Sequence, residues 1–587
     1  MRDIGNSIPE VALQSMFTAL LPAVPGLEDV CKLVADGHVN HAGWTHHIHP
    51  STSNLREPQA FEKLIDIFNI IHASRHISYK KTVNLTMSGD TSPLSSRENT
   101  SRPDGFGSAI LPPSGSISRD PDDWFSICWA LEVKKVDKEA NRFDDFQKII
   151  WSLHHIMRND ARRRFAFGLT IEDTTVRLWH HDRDTLVCST QFDLHANLKE
   201  LVHVLLELGS ASHTDMGFDE TIQLSVTYEI DVLDETGSMR TFVTISVLTD
   251  HGTNAVFGRA TRVWKVFEKD CWVQPDCRLE HVSLAGIRTQ LKDDPRLKHF
   301  LTVITAGVVL APTVDEAKKV MVKPDNTKEV IRREQELSVV RLMPIKATAT
   351  TQRPDTGSSK TTPRTGVLKS VGGVPDAHPG IQKGFRKNEN PDDHQRCHYR
   401  IVFAEIGKAV VSMSSYKDMF LAVEGALTGI SAMHDAGYLH RDGSAGNALL
   451  VDRGSGPVGV IIDLEYAINF LDESSPHDTR TRFYPSKLRR NTTTTSICKR
   501  RPLSEGQGSI YCFAKMVSTI LSNFGGFAYG FYSTWSRARR TISRLSFAAS
   551  YQGLFDTTGH SLCVPQCGQI LWLSKTRSPN FRELASL

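Results

Sequence analysis

The chain has 587 residues, with 69 lysines and arginines against 66 aspartates and glutamates, and 40% of its residues are hydrophobic. This length allows two to four domains, and the composition excludes collagens, long coiled coils and disulfide-rich scaffolds. Its ten cysteines are too few and too scattered for a disulfide framework, which favours a reducing compartment. No apolar run reaches the ~18 residues of a membrane helix, and the N-terminus lacks a signal-peptide pattern. We therefore expect an intracellular protein, cytoplasmic or nuclear, without membrane contact.

The pattern along residues 1–240 predicts a mixed α/β region. Apolar residues recur at helical spacing in three segments, and apolar runs bounded by turn residues predict buried strands. A segment rich in Ser, Pro and Gly predicts a long loop between them. In chain order, the predicted elements are helices over 27–37 and 61–74, a loop over 88–120, a strand over 124–136, a helix over 143–157, and paired strands over 165–171 and 176–180.

The pattern of residues 241–345 predicts strands and then a helix. Residues 397–480 have the clearest pattern of apolar and turn residues in the chain. Between them, residues 346–396 are dense in Thr, Pro, Gly, Ser and Lys. Such a segment cannot bury enough apolar surface to order itself, so we expect a disordered linker. After the linker, the pattern predicts a strand over 399–404, a helix from the N-cap Ser415 to Gly437, and strands over 448–451 and 458–462.

The last segment of the chain differs in charge from everything before it. Residues 480–587 contain 16 lysines and arginines and three acidic residues, whereas the whole chain has a net charge of only +3. Eight of these bases lie in 480–501. A basic run can bind nucleic acid or direct nuclear import, but a solvated tail is the commoner case, so we do not expect nucleic-acid binding. Cys563 and Cys567, with His560 nearby, make only a weak half-site for zinc.

One loop carries the residue types that phosphoryl transfer requires. The sequence His440-Arg441-Asp442 is followed by Asn447, and Asp463 ends a strand 21 residues after Asp442. The reaction needs a carboxylate that accepts the proton of the attacking hydroxyl. It also needs an amide oxygen and a second carboxylate that hold Mg²⁺ against the phosphates. The order helix, loop, strand, turn, strand is the context of this motif. The alternative is a surface loop whose Asp and Asn only form turns.

These segments resemble the fungal-type protein kinase family. Ser444, two residues after the catalytic-loop Asp, and the Leu-Glu pair after Asp463 match the family's variations on the common kinase motifs. Upstream, Lys269-Asp-Cys-Trp resembles the family's Lys-Asp-Ser-Trp motif. The resemblance covers roughly residues 120–480, and its segments are 177–179, 216–220, 258–264, 269–272, 398–408, 439–450 and 462–467.

The resemblance implies an α+β fold, with a two-lobed protein-kinase-like part preceded by a family-specific mixed α/β region over 1–240. Residues 241–345 would form the N-lobe, and residues 397–480 would begin the C-lobe. It also implies a protein serine/threonine kinase that uses ATP and Mg²⁺ on a protein substrate. A small-molecule phosphotransferase could use the same loop, and Ser444, where most kinases have Lys or Ala, is compatible with that alternative.

By the resemblance, Asp442 is the catalytic base, and Asn447 and Asp463 are the Mg²⁺ ligands. The same resemblance assigns supporting roles in the catalytic loop to three further residues, Arg441, which structures the loop, His440, which helps to pack it, and Ser444.

The resemblance also predicts a nucleotide-binding group further upstream. Lys269 would anchor the α- and β-phosphates and pair with Glu280, and Gly258 would lie in the loop over the phosphates. The residues themselves support this group less well. A strand predicted over 263–267 leaves little room for a turn before Lys269. Gly258 is a single glycine where phosphate-binding loops usually have two or three.

The segment after residue 481 departs from the family. The expected activation segment, its structural glutamate and the Asp-x-Tyr-Ser helix have no counterpart there, and the basic run stands in their place. Such a change is typical of a reading frame or exon choice that differs after this point. The alternative function is therefore a pseudokinase, a binding or scaffold module without turnover.

A second pattern lies within residues 100–180. Pro103-Asp104 is followed by Glu132-Val-Lys134, with Gln147 on the next helix. The spacing resembles the PD-(D/E)xK pattern, in which metal-dependent nucleases place two carboxylates on Mg²⁺ beside a lysine. Three interpretations remain open: a nuclease-like site, a relic of that fold without activity, and ordinary surface charges.

Overall fold

A computed structural model describes residue 4, residues 7–314 apart from the gaps 22–23, 42, 46–48, 75–79, 89–91, 100, 111–122, 266–267 and 275–276, and residues 320–327, 338–342 and 396–472. Nearly all of the predicted linker and the whole basic tail, with Cys563 and Cys567, lie outside the described residues. The described part contains both helices and sheets, which confirms the α+β class.

The described helices are α1 (Leu13–Leu20), α2 (Leu27–His38), α3 (Glu57–Phe61), α4 (Lys63–Ala73), α5 (Glu139–Asn159), α6 (Leu198–Ser210), α7 (Glu280–Leu291) and α8 (Tyr416–Asp435). The described strands are β1 (Ser7–Val11), β2 (Val39–Asn40), β3 (Gly43–Trp44), β4 (Val83–Met87), β5 (Gly105–Ala109), β6 (Ile127–Lys134), β7 (Phe165–Glu172), β8 (Thr175–Asp182), β9 (Leu186–Ser189), β10 (Phe192–Asp193), β11 (Ile222–Leu224), β12 (Tyr228–Leu233), β13 (Met239–Val243), β14 (Val247–Thr249), β15 (Arg262–Trp264), β16 (Glu268–Val273), β17 (Val303–Val308), β18 (Leu310–Val314), β19 (Val320–Pro324), β20 (Ser338–Arg341), β21 (Cys397–Phe403), β22 (Gly407–Ala409), β23 (Tyr438–Leu439), β24 (Ala448–Asp452), β25 (Pro457–Ile461) and β26 (Ile468–Asn469).

The chain forms two compact units, each made of two segments. Unit 1 comprises Met1–Gln274 and Gly307–Arg400, and unit 2 comprises Pro275–Ala306 and Ile401–Leu587. These bounds differ from the predicted domain limits at 240, 345 and 397, which stay predictions. The candidate kinase loop and α7 belong to unit 2, whereas Lys269 and the PD-(D/E)xK-like residues belong to unit 1.

A nine-stranded sheet forms the centre of unit 1, in the order β20-β1-β9-β8-β7-β6-β5-β4, with β10 paired to β8. β6 and β7 are parallel and are joined by α5, whose apolar face packs on both. Such a crossover explains why β6 and β7 are buried along their whole length. The paired strands predicted over 165–171 and 176–180 are confirmed as β7 and β8, with the turn at Asp173 in the left-handed region.

The predicted loop over 88–120 is wrong in part, because it contains β5. This glycine-rich strand pairs with β4 on one side and with β6 on the other. A side chain at Gly107 would collide with the ring of Trp129, so the strand needs a glycine there to lie against this large neighbour. Composition alone predicts a turn for such a segment, and the two flanking strands override it.

A buried ionic network holds another part of unit 1 together. The guanidinium of Arg400 donates to Asp219 at 2.6 Å and to Asp270 at 3.0 Å. His398 contacts Asp270 at 2.6 Å through Nε2 and Asp325 at 3.1 Å through Nδ1. Burial alone would lower the pKa of His398, but Asp270 and Asp325 raise it to about 9. Because removing one partner would leave a buried charge uncompensated, loss of any member of this network should destabilise unit 1.

In unit 2, α8 packs on the antiparallel hairpin of β24 and β25. The predicted helix limits are confirmed, since Ser415 accepts a hydrogen bond from the backbone N–H of Asp418 and Gly437 adopts a positive φ after the last turn. Helix and hairpin approach closely where two glycines meet. A Cβ on Gly425 would collide with the carbonyl oxygen of Gly459.

Candidate active site in the loop after α8

The β24–β25 hairpin brings the two predicted Mg²⁺ ligands to the same end. Asn447 directly precedes β24, and Asp463 follows β25 by two residues. The ladder pairs Ala448 with Ile461, and the backbone N–H of Ile462 donates to the carbonyl of Asn447 at 3.0 Å. The antiparallel register therefore places Asn447 and Asp463, which are 16 residues apart in the sequence, in neighbouring loops at one end of the hairpin.

The predicted base and the first metal ligand are in direct contact. The Nδ2 of Asn447 donates to the main-chain carbonyl of Asp442 at 2.9 Å and to its carboxylate Oδ2 at 3.2 Å. These bonds fix the turn between the two residues. Because Asn447 donates through its nitrogen, its amide oxygen is the atom that can bind a cation. Both side chains are partly exposed, as groups that meet a substrate must be.

His440 ties this loop to the strand that leads to Asp463. It is 3% exposed, its Nε2 lies 3.0 Å from the carbonyl of Ile462, and its Nδ1 accepts the backbone N–H of Asp442 at 3.3 Å. Burial lowers the pKa of His440 in spite of the nearby carboxylates of Asp442 and Asp463. A neutral ring with the proton on Nε2 satisfies both hydrogen bonds. These contacts agree with a packing role for His440, which stays a prediction.

Two residues of this region adopt left-handed backbone conformations that residues other than glycine rarely take. Arg441 has φ 65°, and Asp463 has φ 63° and ψ 60°. Such conformations are unfavourable for residues other than glycine and persist where the surroundings impose them, often at functional sites. Ser444 accepts the backbone N–H of Asn447 at 3.0 Å through its carbonyl and so begins the short turn 445–447.

Glu280 supplies the support for Asp463. It is the first residue of α7 and is 3% exposed. Its Oε1 accepts the backbone N–H of Asp463 at 3.1 Å and that of Leu464 at 3.2 Å. The resemblance predicted a pairing of Glu280 with Lys269, but this contact with the backbone at Asp463 was missed. No sequence signal could have found it, because 183 residues separate the two partners.

Asn447 and Asp463 fit a hard divalent cation. Their donors are oxygens, and Mg²⁺ usually takes only one or two protein ligands, with water and substrate phosphates completing its shell. Among the residues that the structure describes, no group of three or more His, Cys, Asp or Glu side chains is arranged to hold a metal. The assignment of Asn447 and Asp463 as metal ligands therefore stays a prediction.

The predicted phosphate-binding residues lie in unit 1. Lys269 is the second residue of β16 and pairs with Val263 on β15. The strand predicted over 263–267 agrees with β15 at Val263 and Trp264 but is wrong at Lys265, which lies in a turn, and residues 266–267 lie outside the described residues. Gly258 has φ 142°, a value that suits glycine, and its N–H donates to the carbonyl of Arg183 at 2.9 Å. The pairing of Lys269 with Glu280 stays a prediction.

The PD-(D/E)xK-like residues lie on or directly beside β5, β6 and α5 of unit 1. Asp104 immediately precedes β5, and its Oδ2 accepts the backbone N–H of Val133 at 2.9 Å. Glu132 and Lys134 both lie on β6 and are buried. Gln147 lies on α5 but is exposed. Burial raises the pKa of Glu132 well above its ordinary value, and the neighbouring carboxylate of Asp104 raises it further.

One of three comparisons with known proteins gives a match. A family model described as fungal protein kinase matches residues 113–495, which is more than half of the chain. No curated protein and no solved structure matches the chain. Among the helices that the structure describes, none is both long enough and apolar enough to cross a membrane.

Proposed function

Because the chain belongs to the fungal protein kinase family, we propose that it transfers the γ-phosphate of ATP, in the presence of Mg²⁺, to a Ser or Thr hydroxyl of a protein. The observation that carries the proposal is the contact of Asn447 with Asp442, because it joins a base and a metal ligand in one turn. The hairpin also brings a second carboxylate, that of Asp463, to the same end as this turn.

Each residue has a defined task in the proposed reaction. Asp442 accepts the proton of the substrate hydroxyl while the hydroxyl oxygen forms a bond to the γ-phosphorus. The bond between that phosphorus and the oxygen bridging to the β-phosphate breaks, and ADP leaves with the electron pair. Asn447 and Asp463 would hold Mg²⁺, which neutralises charge on the phosphates. Lys269, by family resemblance, would anchor the α- and β-phosphates.

The surrounding residues support the proposal by fixing the loop before any substrate arrives. His440 bonds to the strand end at Ile462, and Glu280 bonds to the backbone at Asp463. Catalysis of this kind depends mainly on positioning and charge neutralisation, so groups held in advance lose little freedom on binding.

The test follows Mg·ATP binding by the melting temperature and turnover by phosphoryl transfer, as two separate measurements. The melting temperature of the full chain is recorded with and without Mg·ATP for the wild type, Asp463→Asn and Asp452→Asn. Asp452 is a matched control, because it is an exposed aspartate of the same hairpin, and asparagine can still accept its hydrogen bond from Gly454. Nucleotide at ~100 times its Kd should stabilise the protein by ~2.7 kcal/mol.

We expect a shift in the wild type and in Asp452→Asn, and a loss of the shift in Asp463→Asn. A shift without phosphoryl transfer to generic protein substrates would support a pseudokinase. Transfer to small hydroxyl compounds alone would support the small-molecule phosphotransferase. An unchanged shift in Asp463→Asn would contradict the assignment of this residue.

A further inference from the structure

The PD-(D/E)xK-like carboxylates lie on one face of the unit 1 sheet and have no part in the proposed phosphoryl transfer. Gly105 on β5 is paired with Leu131 on β6 in an antiparallel register, so Asp104 stands opposite Glu132 on the same face. The carboxylate of Asp104 is held there by the backbone N–H of Val133. Since side chains alternate along a strand, Lys134 shares this face with Glu132.

Glu132 is the central residue of the group, and one of its oxygens has no partner. The side chain is 0% exposed. Its Oε1 accepts the hydroxyl of Ser152 from α5 at 3.2 Å, whereas Oε2 is buried without a hydrogen bond within the described part of the chain. A buried carboxylate oxygen left unpaired is costly, and its persistence points to a missing ligand.

The charges around this pair are unbalanced. The Nζ of Lys134 lies 3.2–3.3 Å from carboxylate oxygens of Glu57, Asp144 and Asp145. Lys148 pairs with Asp144 at 3.2 Å. The nearby lysines are thus paired with other carboxylates, and neither Asp104 nor Glu132 forms an ion pair with a described residue. The pair therefore lacks a direct cationic partner.

We propose that Asp104 and Glu132 bind a divalent cation, Mg²⁺ or Mn²⁺, at a site separate from the candidate kinase loop. Two carboxylates, with water completing the shell, are a ligand set that Mg²⁺ and Mn²⁺ accept, and the oxygen donors disfavour zinc and copper. Asp104 is partly exposed and gives the cation a route from solvent. The proposal does not depend on kinase activity.

The experiment removes the kinase site first. Full-length Asp463→Asn protein, without nucleotide, is titrated with MnCl₂, and bound Mn²⁺ is followed by electron paramagnetic resonance. Glu132→Gln or Asp104→Asn is then added to this background. Both replacements keep the shape and the hydrogen-bond acceptor of the native residue. Glu139→Gln serves as the matched control, since Glu139 is an exposed glutamate in the first turn of α5.

We expect one Mn²⁺ site in Asp463→Asn and in its Glu139→Gln derivative. Glu132→Gln and Asp104→Asn should each weaken binding by ~100-fold, at least as much as the loss of an outer-shell partner costs. Melting curves in metal-free buffer verify that each variant is folded. Absence of a Mn²⁺ site in Asp463→Asn, or equal binding by folded Glu132→Gln and Asp104→Asn proteins, would overturn the proposal. Neither result would affect the kinase proposal, because the altered kinase site is common to all samples.

Discussion

Replacing Glu280 with alanine should loosen the backbone at Asp463 without unfolding the rest of the protein. In the native protein one carboxylate oxygen accepts two backbone N–H groups, those of Asp463 and Leu464, at 3.1 and 3.2 Å. Glu280 is 3% exposed, so solvent screens these bonds little. Alanine removes the acceptor entirely. Glutamine keeps an oxygen acceptor and loses only the charge.

The size of the effect follows from the strength of a hydrogen bond to a charged group, which is ~1.5–3 kcal/mol. Because ~1.4 kcal/mol corresponds to a factor of ten, exchange of each amide should become ~10–100 times faster in Glu280→Ala. Neutral hydrogen bonds contribute ~0.5–1.5 kcal/mol, so Glu280→Gln should give an intermediate rate.

Hydrogen–deuterium exchange of the full-length protein, measured by mass spectrometry on peptides covering Asp463 and Leu464, tests this prediction. Glu424→Ala is the control, since Glu424 is an exposed glutamate of α8 in the same unit. Exchange in these peptides should be unchanged in the control. Equal exchange in Glu280→Ala and wild type would refute the argument that Glu280 holds this backbone.

Three further predictions concern packing, pH and the PD-(D/E)xK-like carboxylates. Gly425→Ala should destabilise the protein by ~1–3 kcal/mol, about 2–10 °C in melting temperature, because its Cβ collides with Gly459. Gly37→Ala is the control: its Cβ would have no heavy atom within 4 Å, so this variant should not lower the melting temperature. Because the pKa of His398 is raised to about 9, its stabilising contribution is complete below the unfolded value of ~6.5 and is lost as the pH rises through about 9. His398→Gln should therefore reduce the decline of urea-unfolding stability over that range, and an identical pH profile would contradict the assignment. The PD-(D/E)xK resemblance suggests that Asp104 and Glu132 would hold a cation that assists phosphodiester hydrolysis by water. In that case the wild type with Mg²⁺ or Mn²⁺ should cleave supercoiled DNA, whereas Glu132→Gln should not. Intact DNA with the wild type would contradict the nuclease hypothesis.

Local patterns were sufficient for the elements that frame the candidate active site. Ser415 and Gly437 fixed the limits of α8 because a cap and a left-handed stop depend on a few neighbouring residues. The strands of the β24–β25 hairpin followed from two short apolar runs around a glycine turn. The order of these elements then brought Asn447 and Asp463 together, as the motif required.

Long-range partners could not be predicted in this way. β1 pairs with β20 across more than 300 residues, and β5 becomes a strand only because β4 and β6 lie on either side of it. The same holds for the contact of Glu280 with the backbone at Asp463. A single sequence shows which residues can make such contacts, but their choice depends on the whole packing.

The most direct test of the proposed kinase activity is the transfer of ³²P from the γ-position of ATP by purified full-length protein. The wild type is compared with Asp442→Asn, which keeps the shape of the loop but removes the base, and with Asp452→Asn as the matched control. We expect Mg²⁺-dependent labelling of a protein substrate or of the chain itself by the wild type and by Asp452→Asn, and loss of labelling in Asp442→Asn. Equal labelling by all three proteins would contradict the role of Asp442, and no labelling by a folded wild type that binds Mg·ATP would contradict the kinase proposal.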